Sequence, residues 1–184
     1  MNKIIVSLLA FFLCACSYML TYKPPHYSVS ADNAIAIKRF GGGNISVGSF
    51  TNTAEFDNDC GITAGSVVMP DKLRFEGYIR NGLVDELKNA GMYDDVAPKI
   101  ALSGTVEELS LFSRRYIYTS TWKIGLRVTS SNGQSVSVAE HYDFDAGPGS
   151  RADCQRIADS YMPAVQKILG KFINSPEFKS LITP

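Results

Sequence analysis

The sequence predicts an α+β fold: a two-layer sandwich in which a mainly antiparallel sheet carries two helices packed on one face. Three patterns point there. In "RRYIYTSTWKIGLRVT" the residues alternate with period two, setting Tyr116, Tyr118, Trp122, Ile124, Leu126 and Val128 on one face and Thr119, Thr121, Lys123 and Arg127 on the other. Phe75, Ile79, Leu83 and Leu87 recur every fourth residue, the stripe of an amphipathic helix. Cys154, Ile157, Ala158, Tyr161, Val165, Ile168, Leu169 and Phe172 keep the same helical spacing near the C-terminus.

Size and charge narrow the classes. The chain has 184 residues, 45% of them apolar and 20% charged, the makeup of one globular domain rather than a disordered chain. Basic and acidic residues balance at 18 each. With no net field to gather polyanions, nucleic acid is not an expected partner.

The chain opens "MNKIIVSLLAFFLCAC", a single Lys3 followed by an apolar run over residues 4–13. A helix of that length rises about 15 Å, half of what crossing a bilayer requires, so the run reads as a secretory leader over residues 1–15. Its end, Leu13-Cys14-Ala15-Cys16, resembles the bacterial lipobox. That resemblance implies a diacylglyceryl thioether on Cys16, cleavage just before it, and acylation of the new amine, with palmitate as a typical chain. Cys14 would leave with the leader. Processing at Cys14 instead would put Leu13 next to the cut, where a small residue is wanted. A Cys-x-Cys metal pair would need further ligands, and none is nearby. Lipid chains contribute about 0.8 kcal/mol per buried methylene, so two or three hold a protein on a membrane stably without a span. Ser17, where an inner-membrane protein of this class carries Asp, implies the outer membrane, periplasmic face. Cys60 and Cys154 then remain as an even pair in an oxidising compartment. They are expected to form a disulfide, the alternative being two buried free thiols.

Residues 16–33, with Pro24-Pro25, lack sustained periodicity and read as a lipidated tether, leaving residues 34–184 as a single domain. "AIAIKRF" and "NISVGSF" alternate around Gly41-Gly42-Gly43 and predict two strands joined by a tight turn. A phosphate-binding loop would need a further Gly or GK[ST] leading into a helix, and a strand pattern follows instead. Residues 52–69 form a long polar loop holding Asp57, Asp59 and Cys60. Counted from Asp57, the fifth and twelfth places of a calcium loop fall on Gly61 and Val68, which cannot serve as ligands. A loop of this length, pinned by a disulfide, is a candidate binding surface.

The helix with the Phe75 stripe should start near Pro70 or Asp71 and close at Gly91, leaving Arg74, Arg80, Asp85 and Lys88 solvated. A strand follows in "KIALSGTVEELSLF"; its apolar face runs through Ile100, Leu102 and Val106 and then shifts at Leu109 and Leu111, which predicts a bulge. After the Trp122 strand, Ser131-Asn132-Gly133 supplies a hairpin turn, and Val136, Val138, Tyr142 and Phe144 continue the apolar face. The last long helix opens at Ser150 with Asp153 three residues on, and Pro163 should kink it. Ser175-Pro176-Glu177 signals a further short helix.

The helix "LRFEGYIRNGLVDELKNAGM", the strand "IALSGTVEEL", the Tyr-rich strand, the Asn-Gly hairpin and the long final helix together resemble the YajG-like group of small outer-membrane lipoproteins. A related plan occurs in the LPS-assembly lipoprotein LptE and in auxiliary lipoproteins of ABC-type lipid transport. The resemblance covers roughly residues 73–182 and the lipobox, and the disulfide candidate and long loop depart from it. It implies a non-enzymatic accessory or docking subunit of an envelope assembly or transport complex, and it transfers one site residue, Cys16. Arg114, Arg115, Tyr116 and Tyr118 are the candidate partner-binding residues, since aromatics with Arg favour interfaces. Inward-facing rings, however, belong to a core.

Two further functions stay open in the sequence. One is binding of a lipid or glycolipid between splayed sheet and helices. The other is a hydrolase around His141, with Asp143 and Asp145 beside it. Only His26 and His141 are present and no G-x-S-x-G elbow is found, so no nucleophile and base can be named together. Nothing in the spacing asks for a cofactor or a metal, and the sequence assigns no oligomeric state.

Overall fold

The computed structural model describes residues 20–41, 43–60, 65–113, 119–147 and 150–184. Among these, β1 (Thr21–Tyr22), α1 (Ala31–Lys38), β2 (Ile45–Asn52) and β3 (Ser66–Val67) precede α2 (Phe75–Asn89). Then come β4 (Ile100–Ser113), β5 (Thr119–Ser130), β6 (Ser135–Asp145), α3 (Ser150–Ile173) and α4 (Phe178–Ile182). The fold is α+β. One open sheet has the order β2-β4-β5-β6, and a small second sheet pairs β1 with β3.

The β4–β5 and β5–β6 pairings are antiparallel and follow directly from the period-two patterns. The expected bulge lies between Val106 and Glu108, where the register shifts. It moves Leu109 onto the buried face that Ile100, Leu102 and Val106 occupy. The β5–β6 hairpin closes through Ser130 N–H on the Gln134 carbonyl, with Gly133 at φ +87° supplying the left-handed residue of the turn. β2 joins the sheet in parallel with β4, and α2 makes the crossover between them.

Both long helices cover one face of the sheet, α2 against β2 and α3 against β5 and β6. Ile79, Leu83 and Leu87 from α2 and Val165, Ile168, Leu169 and Phe172 from α3 are fully buried against Leu102, Val106, Trp122, Leu126 and Val128. α3 continues through Pro163 from Ser150 to Ile173. No helix among the described residues is long and apolar enough to cross a membrane.

The first of the two strands expected around the glycines is overturned. "AIAIK" is not a strand turning back at the glycines; it belongs to α1. Ser30 caps that helix by accepting the Asn33 N–H, Asp32 sits in the first turn and Lys38 in the last, so caps and the helix propensity of alanine outweigh a short alternation. In addition, residues 20–33 are not merely a tether. β1 pairs with β3, and the segment onward to α1 is bonded to both long helices.

Candidate functional site at the disulfide-pinned end

The long loop is drawn onto the domain by Cys60, disulfide-bonded to Cys154 in α3, with Cα atoms 5.6 Å apart. Bridging residues 94 apart in sequence removes chain entropy from the unfolded state worth about 4.7 kcal/mol. Around that bond the loop is stitched by backbone. Cys60 N–H donates to the Gly65 carbonyl at 2.9 Å and Val67 N–H to the Asn58 carbonyl at 2.9 Å, while the Asn58 amide returns a bond to the Val67 carbonyl at 2.9 Å. Gly65 has φ +96°, and a Cβ there would overlap the Leu20 carbonyl, so only glycine lets β1 approach β3.

Between this loop and the start of α2 lies a groove of about 360 Å³. Phe56 and Phe75 line it and meet edge to face with centroids 4.9 Å apart, Phe56 also packing on Trp122 at 5.5 Å. Lys72 and Arg74 also line it, Arg74 forming an ion pair with the buried Glu76 at 2.7 Å. Asp71 and Lys72 both have positive φ, at 54° and 58°. Two successive left-handed residues other than glycine are a strained way into a helix.

Trp122 itself is wholly buried, its indole N–H donating to Ser160 Oγ at 2.9 Å and its ring packed by Phe56, Phe75 and Tyr161. At this point sheet and helices are filled by rings instead of splayed around a pocket. Burial drives the Tyr161 and Tyr78 hydroxyls well above the usual phenol range, so both stay neutral.

The remaining candidates do not converge. Cys16, Arg114, Arg115, Tyr116 and Tyr118 lie outside the described residues. His141 is on the exposed face of β6 opposite Lys123. Asp143 accepts from Thr121 Oγ1 at 2.6 Å, and Asp145 accepts the Gly147 N–H at 2.8 Å and lies 3.6 Å from Arg156. These contacts orient strand and turn rather than His141. Among the described residues, no group of three or more His, Cys, Asp or Glu side chains gathers as a metal site would require.

Two features are missing from the sequence reading. The first is a buried polar clamp. Glu86 is fully buried, and its Oε1 accepts from Tyr27 Oη at 2.6 Å, Ser30 N–H at 2.9 Å and Asn33 Nδ2 at 3.2 Å. Burial, then the bond to Glu86, pushes the Tyr27 hydroxyl far above its ordinary pKa. Tyr78 Oη adds a bond to the Pro25 carbonyl at 2.8 Å, and Gln166 Nε2 one to the Ser28 carbonyl at 2.8 Å. Gly82 makes room, since a Cβ there would press on the Tyr27 ring at 3.0 Å. The signal was available: Ile79, Leu83 and Glu86 stand at i, i+4 and i+7, which puts the carboxylate on the buried stripe.

The second is how the outer strands end the sheet. Arg80, expected to be solvated, instead donates to the Val47 and Gly48 carbonyls of β2, each at 2.7 Å. On β6, Lys167 and Lys171 donate to the His141 and Ala139 carbonyls at 2.9 and 2.6 Å while pairing with Glu140. Burial raises the pKa of the Glu140 carboxyl, but Lys167, the His141 backbone N–H and Lys171 together hold it below its ordinary range. Cations on edge carbonyls oppose the addition of a further strand.

No family model and no curated protein matches the chain. Among solved structures it is similar to a Xanthomonas campestris protein of family DUF330, with 8% identity and a TM-score of 0.47 over 84% of this chain and 94% of that one. It is also similar to a candidate lipoprotein of Caulobacter crescentus, with 11% identity and a TM-score of 0.46 over 82% and 94% of the two chains. A third is lipoprotein GNA1162 of Neisseria meningitidis, with 13% identity and a TM-score of 0.29 over 68% and 99%.

Proposed function

We propose that the chain is a non-enzymatic lipoprotein of the outer membrane, lipidated at Cys16 and facing the periplasm, that serves as an accessory or docking subunit of an envelope assembly or transport complex. The observation that carries this reading is Leu13-Cys14-Ala15-Cys16 placed directly behind an apolar leader too short to span a membrane. The Cys60–Cys154 bond supports it, since structural disulfides belong to oxidising compartments. The capped strands argue against docking by strand addition and favour the groove beneath the long loop. Its lining by Phe56, Phe75, Met69 and Arg74 has the composition of a contact surface. The packed surroundings of Trp122 favour this role over lipid binding between sheet and helices.

Mass spectrometry of the N-terminal peptide from membrane-extracted protein should find Cys16 as the first residue, carrying diacylglycerol and an acyl chain. An intact residue 1–15 segment would overturn the anchor. Photo-crosslinkers at Asn52 and Lys72 should capture an envelope protein that the same probe at Ser137 on β6 does not. Capture from Ser137 alone would move the docking site.

A further inference from the structure

The lipid anchor and the folded domain are separated by very little chain. The Leu20 carbonyl accepts the Ser66 N–H at 3.0 Å and the Tyr22 carbonyl accepts the Val68 N–H at 2.9 Å. Ser66 and Val67 belong to the loop that Cys60 bonds to Cys154. Leu20 is therefore fixed to α3 through two backbone bonds and a disulfide. From Cys16 to Leu20 even a fully extended chain spans only about 15 Å. A globular domain of this size is roughly 40 Å across. The tether is shorter than the domain's radius, so the domain cannot turn over on its anchor.

We infer that, with Cys16 lipidated as proposed above, the disulfide-pinned end of the domain faces the phospholipid surface, so that the groove meets its partner at the bilayer, and the Asn132 hairpin points away from it. Register identifies what shares that end. The strap meets β3, β3 meets Cys60, and Cys60 meets the first turns of α3. Arg156, two residues beyond Cys154, reaches Asp145 at the end of β6, which pairs with Thr119 at the start of β5, beside Ser113 at the end of β4. Among the described residues, Leu20, 38% exposed, and Phe112, 51% exposed, are large apolar side chains presented there. β5 runs from this end to the Asn132 hairpin, a distance of about 40 Å, beyond the tether's reach.

Among the described residues, Asp57, Asp59, Asp143 and Asp145 are exposed at this end and would be repelled by anionic headgroups. Orientation follows from tether length and not from these charges.

The test compares two lipidated full-length proteins on vesicles of phosphatidylethanolamine and phosphatidylglycerol. One has the native spacing; the other carries a Gly-Ser insert of about twenty residues after Ser17, with a mean reach of about 25 Å. Hydrogen exchange in peptides over residues 53–60 and 107–113 should be slower in the native protein by about threefold or more, with residues 130–135 unchanged. If both proteins float with the vesicles and exchange alike, the orientation is wrong and the anchor stands. If neither floats and Cys16 carries no lipid, the anchor and the orientation fall together.

Discussion

The segments flanking the domain at its two ends of sequence are held by opposite means. The N-terminal segment is clamped by polar groups: a fully buried Glu86 takes three hydrogen bonds from Tyr27, Ser30 and Asn33, and Tyr78 and Gln166 add two more. The C-terminal segment is clamped by apolar groups: Phe178 and Leu181 of α4 are fully buried, with Phe178 packed on Phe172 at 5.2 Å and on Phe40 at 5.1 Å. Its polar contribution comes from the exposed hairpin, where Asn132 Nδ2 donates to the carbonyls of Ser180 at 2.8 Å and Thr183 at 2.7 Å. Apolar burial gives strength with little positional demand, whereas a buried polar clamp requires one placement of every partner. The segment that would transmit force from a lipid anchor is the one held in the more exacting way.

The sharpest way to break this contrast is at the disulfide, which secures the loop against which β1 pairs. Replacing Cys60 and Cys154 together by Ser should lower unfolding stability by about 4.7 kcal/mol in urea titrations. The loss should be uneven: amide exchange in residues 20–30 should accelerate far more than in α4. Equal acceleration at both ends would show that the bond supports the whole domain without favouring the strap.

Alkaline pH tests the same contrast without mutation. Tyr27 and Tyr78 both lie on the strap side and both have native pKa values raised well above 10, chiefly by burial. In the unfolded chain they ionise near pH 10, so the stability from their neutral burial is complete below that pH and falls as pH rises above it. Each tyrosine removes up to about 1.4 kcal/mol per pH unit, or about 3 kcal/mol for the pair at pH 11. Unfolding followed at pH 9 and pH 11 should show the drop, and Tyr27→Phe should reduce its slope. At the sheet margin the sign is opposite. Glu140, held low by Lys167, the His141 backbone N–H and Lys171, gives stability that is present above the ordinary glutamate range and fades as pH falls through it.

Glu86→Ala would strip three donors of their acceptor and leave a buried void, for an expected loss of about 3 kcal/mol. Glu86→Gln keeps an acceptor oxygen and the volume, and should cost less than half as much. A double-mutant cycle with Tyr27→Phe should show clear non-additivity, because the two side chains share one 2.6 Å bond. Additive losses would mean that the clamp contributes by packing alone.

These expectations also show what could be read without coordinates. The sheet strands from β4 to β6 and both long helices were legible because long periodic runs leave little choice of face: Trp122, Leu126 and Val128 turn inward together, as do Ile79 and Leu83. The Cys60–Cys154 pairing followed from counting thiols in an oxidising compartment. α1 was misread because Ala34, Ile35, Ala36 and Ile37 alternate in size over a span too short to reveal a period, while Ile35 ends up 55% exposed. The clamp depends on contacts more than fifty residues apart, such as Tyr27 with Glu86, and no local pattern encodes the partner. Arg80 looked solvated because its helical position faces outward. Its length nonetheless lets it bend back to β2.

The C-terminal clamp gives the smallest effect and the strictest comparison. Asn132 makes as many well-formed bonds to α4 and its exit as some members of the strap make to Glu86, but it does so in water's reach. Removing an exposed donor exchanges protein bonds for solvent bonds, so Asn132→Ala should cost about 0.5 kcal/mol and leave Phe178 packed. Proteolysis at residues 182–184 should quicken slightly while the global transition stays put. A loss near that of Glu86→Ala would mean that burial is not what separates the two clamps, and that the hairpin turn itself depends on Asn132, whose Oδ1 accepts the Gln134 N–H at 3.0 Å.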